Sequence, residues 1–183
     1  MKIVGVDASL TSTGVAMCID GETYTNVIQS SKKGVERLID IKTMVSPIVS
    51  DADLVVIEGY AFARPNQAHQ IGELGGVLRV MFAMMGLKYI EVAPAALKKF
   101  ATGKGNANKE AVAVGIFKRW HCEFNNNDEA DAFVLAQIGQ AYLSKTDKLT
   151  GYQREVMIAL NSKPALKGVA KKSAAKKQKA VAP

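Results

Sequence analysis

Two stretches of this chain are apolar at almost every position. Ile3-Val4-Gly5-Val6 leads to Asp7, and Leu54-Val55-Val56-Ile57 leads to Glu58. The second has the unbroken apolar character of a central parallel strand covered on both faces. Residues 2–7 predict a first strand, Leu10 to Thr13 a turn, and Gly14 to Asp20 a second strand. Asp20-Gly21 is a hairpin signal, so Thr23 to Gln29 completes an antiparallel meander. Val35, Leu38, Ile39, Ile41, Met44 and Val45 recur at helical spacing, and Pro47 is expected to disturb the end of that helix. After the strand 54–58 come a helix over about Asn66–Met85 and a short fifth strand, Tyr89–Val92. Pro94 opens a brief helix to Phe100, and Lys109–Trp120 reads as another. Asn125-Asn126-Asn127 can cap a helix from Asp128 to about Leu143, and Gln153–Leu160 is a weak last helix. The order predicts an α/β fold: a mixed five-stranded sheet, three antiparallel strands then two parallel, flanked by helices. The first strand is central, with the fourth beside it and parallel by the right-handed crossover rule.

That topology gives four carboxylates a meaning. Strands lie about 4.8 Å apart, so Asp7 and Glu58 meet at one end of the sheet. Asp128 and Asp131, three apart on a helix, share a face, and one docked helix can present both. An unpaired polar group buried at a strand tip costs roughly 2–7 kcal/mol. Four converging negative charges need something positive among them. Divalent metal ions meet that need, and two-metal sites, with ions about 3.5–4 Å apart, carry phosphodiester chemistry. Hard oxygen ligands suit Mg²⁺ or Mn²⁺ over zinc. Glu129, in the first turn of its helix, reads as a macrodipole partner only.

Charge changes the picture further. The 183-residue chain has a net charge of +7. From Ser144 to Pro183 there are ten basic residues against two acidic ones, while the first 143 residues carry 14 basic and 15 acidic. A nearly neutral body over 1–143, an extension over 144–163 and a basic tail over 164–183 are expected. The tail's Lys, Ala, Ser and Gly cannot build a core and suit a polyanion such as nucleic acid. Lys98, Lys99, Lys104 and Lys109 cluster around a glycine loop, where they are expected to clamp phosphates, and Arg64 and Arg79 add to that surface. No apolar run nears 18 residues, so no membrane span is expected. Cys18 and Cys122 lack metal-type spacing and read as reduced thiols of a cytoplasmic protein. His69 and His121 are isolated, and Met81, Met84 and Met85 read as core filling.

Three blocks, Gly5-Val6-Asp7-Ala8-Ser9-Leu10-Thr11-Ser12-Thr13-Gly14, Val56-Ile57-Glu58 and Asp128-Glu129-Ala130-Asp131-Ala132, resemble the signatures of the RuvC family of Holliday-junction resolvases. The stretch from Pro94 to Glu110 is similar to that family's lysine-bearing segment. The resemblance covers about residues 1–143. It implies a ribonuclease-H-like fold, a homodimer, and structure-selective nicking of two strands of a four-way DNA junction with Mg²⁺ or Mn²⁺. It further implies that Asp7 bridges two ions, that Glu58, Asp128 and Asp131 complete the ligand set, and that products keep a 5′ phosphate. Ala8-Ser9 stand where the family usually has Pro-Gly. Ala61, flanked by Tyr60 and Phe62, stands where the family has a DNA-stacking aromatic, which implies base contact from one of these neighbours.

Three rival readings share parts of this pattern. A ribonuclease-H-type nuclease acting on flaps, forks or RNA–DNA hybrids would use the same fold and metals. A sugar-kinase or actin-like ATPase shares the aspartate-to-glycine spacing after the first strand but needs two such domains and a second phosphate loop. A non-catalytic DNA-binding module would have no use for all four acids.

Overall fold

The computed structural model describes residues 1–59, 65–144 and 148–162, with the side chains of 65–71 excepted. Tyr60, Phe62, Arg64, the side chain of His69 and the tail over 164–183 lie outside the described residues. Five strands, β1 (Lys2–Asp7), β2 (Thr13–Ile19), β3 (Glu22–Ile28), β4 (Leu54–Glu58) and β5 (Tyr89–Val92), form one sheet in the order β3-β2-β1-β4-β5. β1 pairs antiparallel with β2 and parallel with β4, and β4 parallel with β5, so the mixed sheet with a central first strand is as the sequence predicts.

Helices cover both faces because strand residues alternate between them. Val4, Val6, Val55 and Ile57 face a core closed by α1 (Gly34–Val49) and α2 (Pro65–Met84). Ile41, Val45 and Val49, one helical stripe of α1, are fully buried there. Ile3, Leu54 and Val56 face the other core, built with α3 (Pro94–Thr102), α4 (Lys109–Trp120), α5 (Asn127–Ser144) and α6 (Gly151–Asn161). α6 adds Val156, Met157 and Leu160 to this core and packs on α3. Pro47 does not end α1. It lies inside the helix, which runs on to Val49 with Val45 and Val49 fully buried on either side of it, so packing carries the helix past the missing N–H. Met84 also departs from expectation: Met81 is buried, but Met84 is 76% exposed. Among the described residues no helix is long and apolar enough to cross a membrane.

The helix α5 lies directly across β1 and β2. Its contact stripe is small: Ala132, Ala136 and Gly139 are buried against the sheet. On the strand side, Gly5 and Gly14 leave room for its backbone. A Cβ on Gly5 would stand 2.2 Å from the Ala132 carbonyl oxygen, and one on Gly14 would stand 1.9 Å from that of Asp128. The Asn126 Oδ1 accepts from the N–H of Asp128 (2.8 Å) and of Glu129 (3.4 Å), capping the helix, while its Nδ2 donates to the Ser12 hydroxyl at 3.2 Å. The Thr25 hydroxyl donates to the Glu129 carboxylate, which turns that acid toward β3 and fixes the helix on the sheet.

Candidate active site

Parity decides where the strand-end acids go. Asp7 shares the parity of Ile3 and Gly5, and Glu58 that of Leu54 and Val56, so both project to the face that α5 covers. They follow the paired Val6 and Ile57 at the carboxyl ends of two adjacent parallel strands. The first turns of α5 bring Asp128 and Asp131 to the same end. All four line one cleft of about 940 Å³, together with Lys98 of α3 and Lys109 of α4.

Local bonds hold the frame. The Thr13 hydroxyl, fully buried, donates to the Ser9 carbonyl at 2.6 Å and accepts from the Ser9 N–H at 3.3 Å, closing the loop behind Asp7. Arg79 Nη2 donates to the Glu58 carbonyl at 3.2 Å and its Nε to the Glu91 Oε1 at 2.5 Å. Arg79 thus braces the backbone under Glu58 from within the protein. The chain also pairs the Gly59 N–H with the Val92 carbonyl at 2.8 Å, extending the sheet just past the acid.

The electrostatics are those of crowded, partly dried acids. Burial, then the charges of Glu58, Asp131 and Asp128, push the Asp7 carboxyl well above the usual carboxylate range. Burial first, then Asp131, raise Glu58 to about 7, although Lys98 and hydrogen bonding from Asp7 pull against the rise. Burial and Asp128 raise Asp131 to about 6, opposed by Lys109 and Lys98. An all-carboxylate oxygen donor set that shares too few positive neighbours fits hard divalent cations. The oxygens are not closed into a cage. Among the described residues, no three His, Cys, Asp or Glu side chains stand close enough to enclose one ion.

These shifts carry a stability consequence. The folded values of Glu58 and Asp131 lie above their unfolded ones, 4.5 and 3.8. The native state therefore binds more protons than the unfolded chain between those limits, and this stability is lost as pH rises through about 6 to 7. In a chelator, the protein is expected to lose roughly 2–4 kcal/mol between pH 5 and pH 8. Mg²⁺ at pH 8 should restore it. Thermal unfolding at the two pH values, with and without Mg²⁺, tests this, and a flat profile in chelator would contradict it.

Of the remaining expected phosphate contacts, Lys99 donates to Glu155 of α6 at 2.6 Å, and Lys104 stands exposed on the loop before α4; neither lines the cleft. Adjacent lysines on a helix point about 100° apart, so only one of Lys98 and Lys99 can face the acids. The sequence reading missed Phe117 and Val114 of α4, which are 48% and 51% exposed on the same cleft wall. The only sequence signal for Phe117 is spacing: Lys109, Ala113 and Phe117 recur every four residues. A second cavity of about 780 Å³, behind residues 122–124 and walled by Phe100, Trp120 and Phe133, holds none of the expected site residues.

A mixed sheet whose two central strands end in carboxylates, met by two more from a helix across one face, defines a nuclease of the ribonuclease-H-like class. Residues 3–139 match the family profile described as "Crossover junction endodeoxyribonuclease RuvC". A protein of that name from Chlamydia felis is 30% identical over 162 residues, spanning 80% of this chain and 96% of its own. Another, from a Synechococcus species, is 25% identical over 157 residues, spanning 76% and 98%. The structure of Thermus thermophilus RuvC superposes with a TM-score of 0.66 at 20% identity, over 91% of this chain and 100% of that one. The fowlpox virus Holliday junction resolvase gives 0.51 at 17%, over 80% and 100%. The chain belongs to the RuvC family of crossover junction endodeoxyribonucleases, which depend on divalent metal ions.

Proposed function

We propose that this chain resolves four-way DNA junctions, hydrolysing one phosphodiester bond in each of two strands as a homodimer, with two Mg²⁺ ions per site and Mn²⁺ able to replace them. The carrying observation is the convergence of Asp7, Glu58, Asp128 and Asp131 with Lys98 and Lys109 in one cleft. A solved RuvC of Thermus thermophilus in complex with a Holliday junction substrate supports the choice of DNA. The four acids would hold the ions, which supply the positive charge needed to draw in a phosphate and to activate water. Asp7, the most buried of the four acids, is fixed by β1 and the Thr13-braced loop and sets the position of the group it binds. Glu58 and Asp131 would release protons as cations enter, because a cation offsets the burial and the mutual repulsion that hold their carboxyls protonated. Lys98, half-buried beside Glu58 and Asp131, offsets their charge and keeps a cation directed at the incoming backbone. Lys109 opens α4, where a cation opposes the helix dipole, a placement better explained by phosphate than by helix stability. Val35 and Ile39 on α1 and Val80 and Met84 on α2 are 56–76% exposed on neighbouring helices, an apolar face suited to a second copy. A cytoplasmic place of action accords with a DNA substrate.

The test mixes the full chain and Mg²⁺ with a synthetic four-way junction and with a duplex of matched sequence. Paired, symmetric nicks on the junction and an intact duplex are expected. Equal cutting of both would reject junction selectivity, and cutting confined to flaps, forks or RNA–DNA hybrids would assign the rival substrate.

A further inference from the structure

We infer that Phe117 stacks on an unpaired nucleobase of the bound DNA, a contact that rests on the nuclease reading above. The cleft has two unlike walls. One end holds four acids and two lysines. The other is the outer face of α4, where Val114 and Phe117 are about half exposed beside Lys118. A lone exposed apolar side chain is ordinary. Two neighbours lining the same cleft as a phosphate-directed site are a surface with two characters, and a nucleic-acid strand has the same two: a charged backbone and apolar base faces.

The spacing agrees. Lys109, Ala113 and Phe117 follow one helix face, and eight residues span about 12 Å. That is about three stacked nucleotides at roughly 3.4 Å each along a strand, and fewer where the strand unstacks. With a phosphate at Lys109, a base close by in the same strand reaches Phe117. The ring is steadied for this. The backbone of His121 turns into the left-handed conformation (φ 56°) to end α4, and its imidazole meets Phe117 edge-on, centroids 6.2 Å apart at 85°. In a T-shaped pair, whichever ring presents its edge, at least one face of Phe117 is not taken by His121. A base needs only one face. An unpaired base costs least to unstack, and pairing is weakest at a branch point.

The experiment compares wild type, Phe117→Ala and Phe117→Trp as full chains. Affinity for a four-way junction and for matched duplex is measured with Ca²⁺ in place of Mg²⁺, across a range of salt. Phe117→Ala should bind the junction roughly 5- to 100-fold more weakly, the range typical of base–aromatic stacking. Duplex affinity, melting temperature and the salt slope should not change, since no counterion-releasing contact is lost. Phe117→Trp should restore junction binding. A change within twofold for Phe117→Ala, an equal loss on duplex, a shallower salt slope or a tryptophan variant as weak as alanine would each overturn the stacking role. A dimer that dissociates in Phe117→Ala would overturn it too, assigning the face to protein contact. Failure of wild type itself to prefer the junction would instead sink the junction-selective reading, and the stacking role with it.

Discussion

Asp7→Asn is expected to cut strand cleavage by roughly a thousandfold or more and, at pH 8 in a chelator, to make the protein more stable than wild type. The two outcomes share one cause. Asp7 is the most buried of four acids facing one another, and Glu58, Asp131 and Asp128 all push its carboxyl toward protonation. An amide of the same size keeps the packing, can donate to Glu58, and removes one of the repelling charges. Relief of about 1–3 kcal/mol would raise the melting temperature by several degrees for a domain of this size. Activity falls because a carboxylate oxygen that would hold the cation is gone. Loss of several kcal/mol of charge stabilisation corresponds to three or more decades in rate. Adding Mg²⁺ should then stabilise wild type more than the variant, reversing their order. Melting curves with chelator and with Mg²⁺, together with nicking of a four-way junction, read both effects. A variant that still cuts within tenfold of wild type, or is less stable than wild type in chelator, would remove Asp7 from the proposed centre.

The cost of burying acids is also why the candidate site was legible in the sequence. Apolar runs that each end in an acid stand out because burying a charge is costly, and the block order placed β1 and β4 side by side. The face of the sheet was harder to see. Strands apolar at both parities give no hint which way their last residue turns. The clue lay in Gly5, two positions before Asp7, where the sheet must admit the backbone of α5. α5 itself is apolar nearly all round, so periodicity could not orient it; the Asn126 cap and the acids of its first turns fix its polar end. Phe117 was invisible for the opposite reason. It follows the buried Ile116 on a helix whose apolar residues carry no mark of which are buried, and only the neighbouring elements show that its face stays open. Lys99 carries the same charge as Lys98, and only α6, distant in sequence, draws it away through Glu155.

Gly14→Ala is expected to cost more than its single added methyl suggests, in both stability and rate. Gly14 pairs with Asp7 across β1 and β2, and its missing side chain is the space in which the Asp128 peptide sits. A Cβ there would lie 1.9 Å from that carbonyl oxygen and 2.4 Å from its carbon, both backbone atoms, so no rotamer change relieves it. α5 must lift or β2 must bend. Overpacking of this kind costs typically 1–3 kcal/mol, and a backbone clash belongs at the upper end or beyond. Asp128 leaves its place opposite Asp7 in the same movement, and a shift near 1 Å at a reacting centre costs about 100-fold in rate. The variant should therefore melt several degrees lower and nick junctions about 100-fold more slowly even well below its melting point. Gly76→Ala is the control: nothing lies within 4 Å of a Cβ at that position in α2. There alanine should be neutral, or stabilising by about 0.5–1 kcal/mol through helix propensity. If Gly14→Ala matched Gly76→Ala in both melting and nicking, close packing of α5 on β2 would not be what sets the position of Asp128.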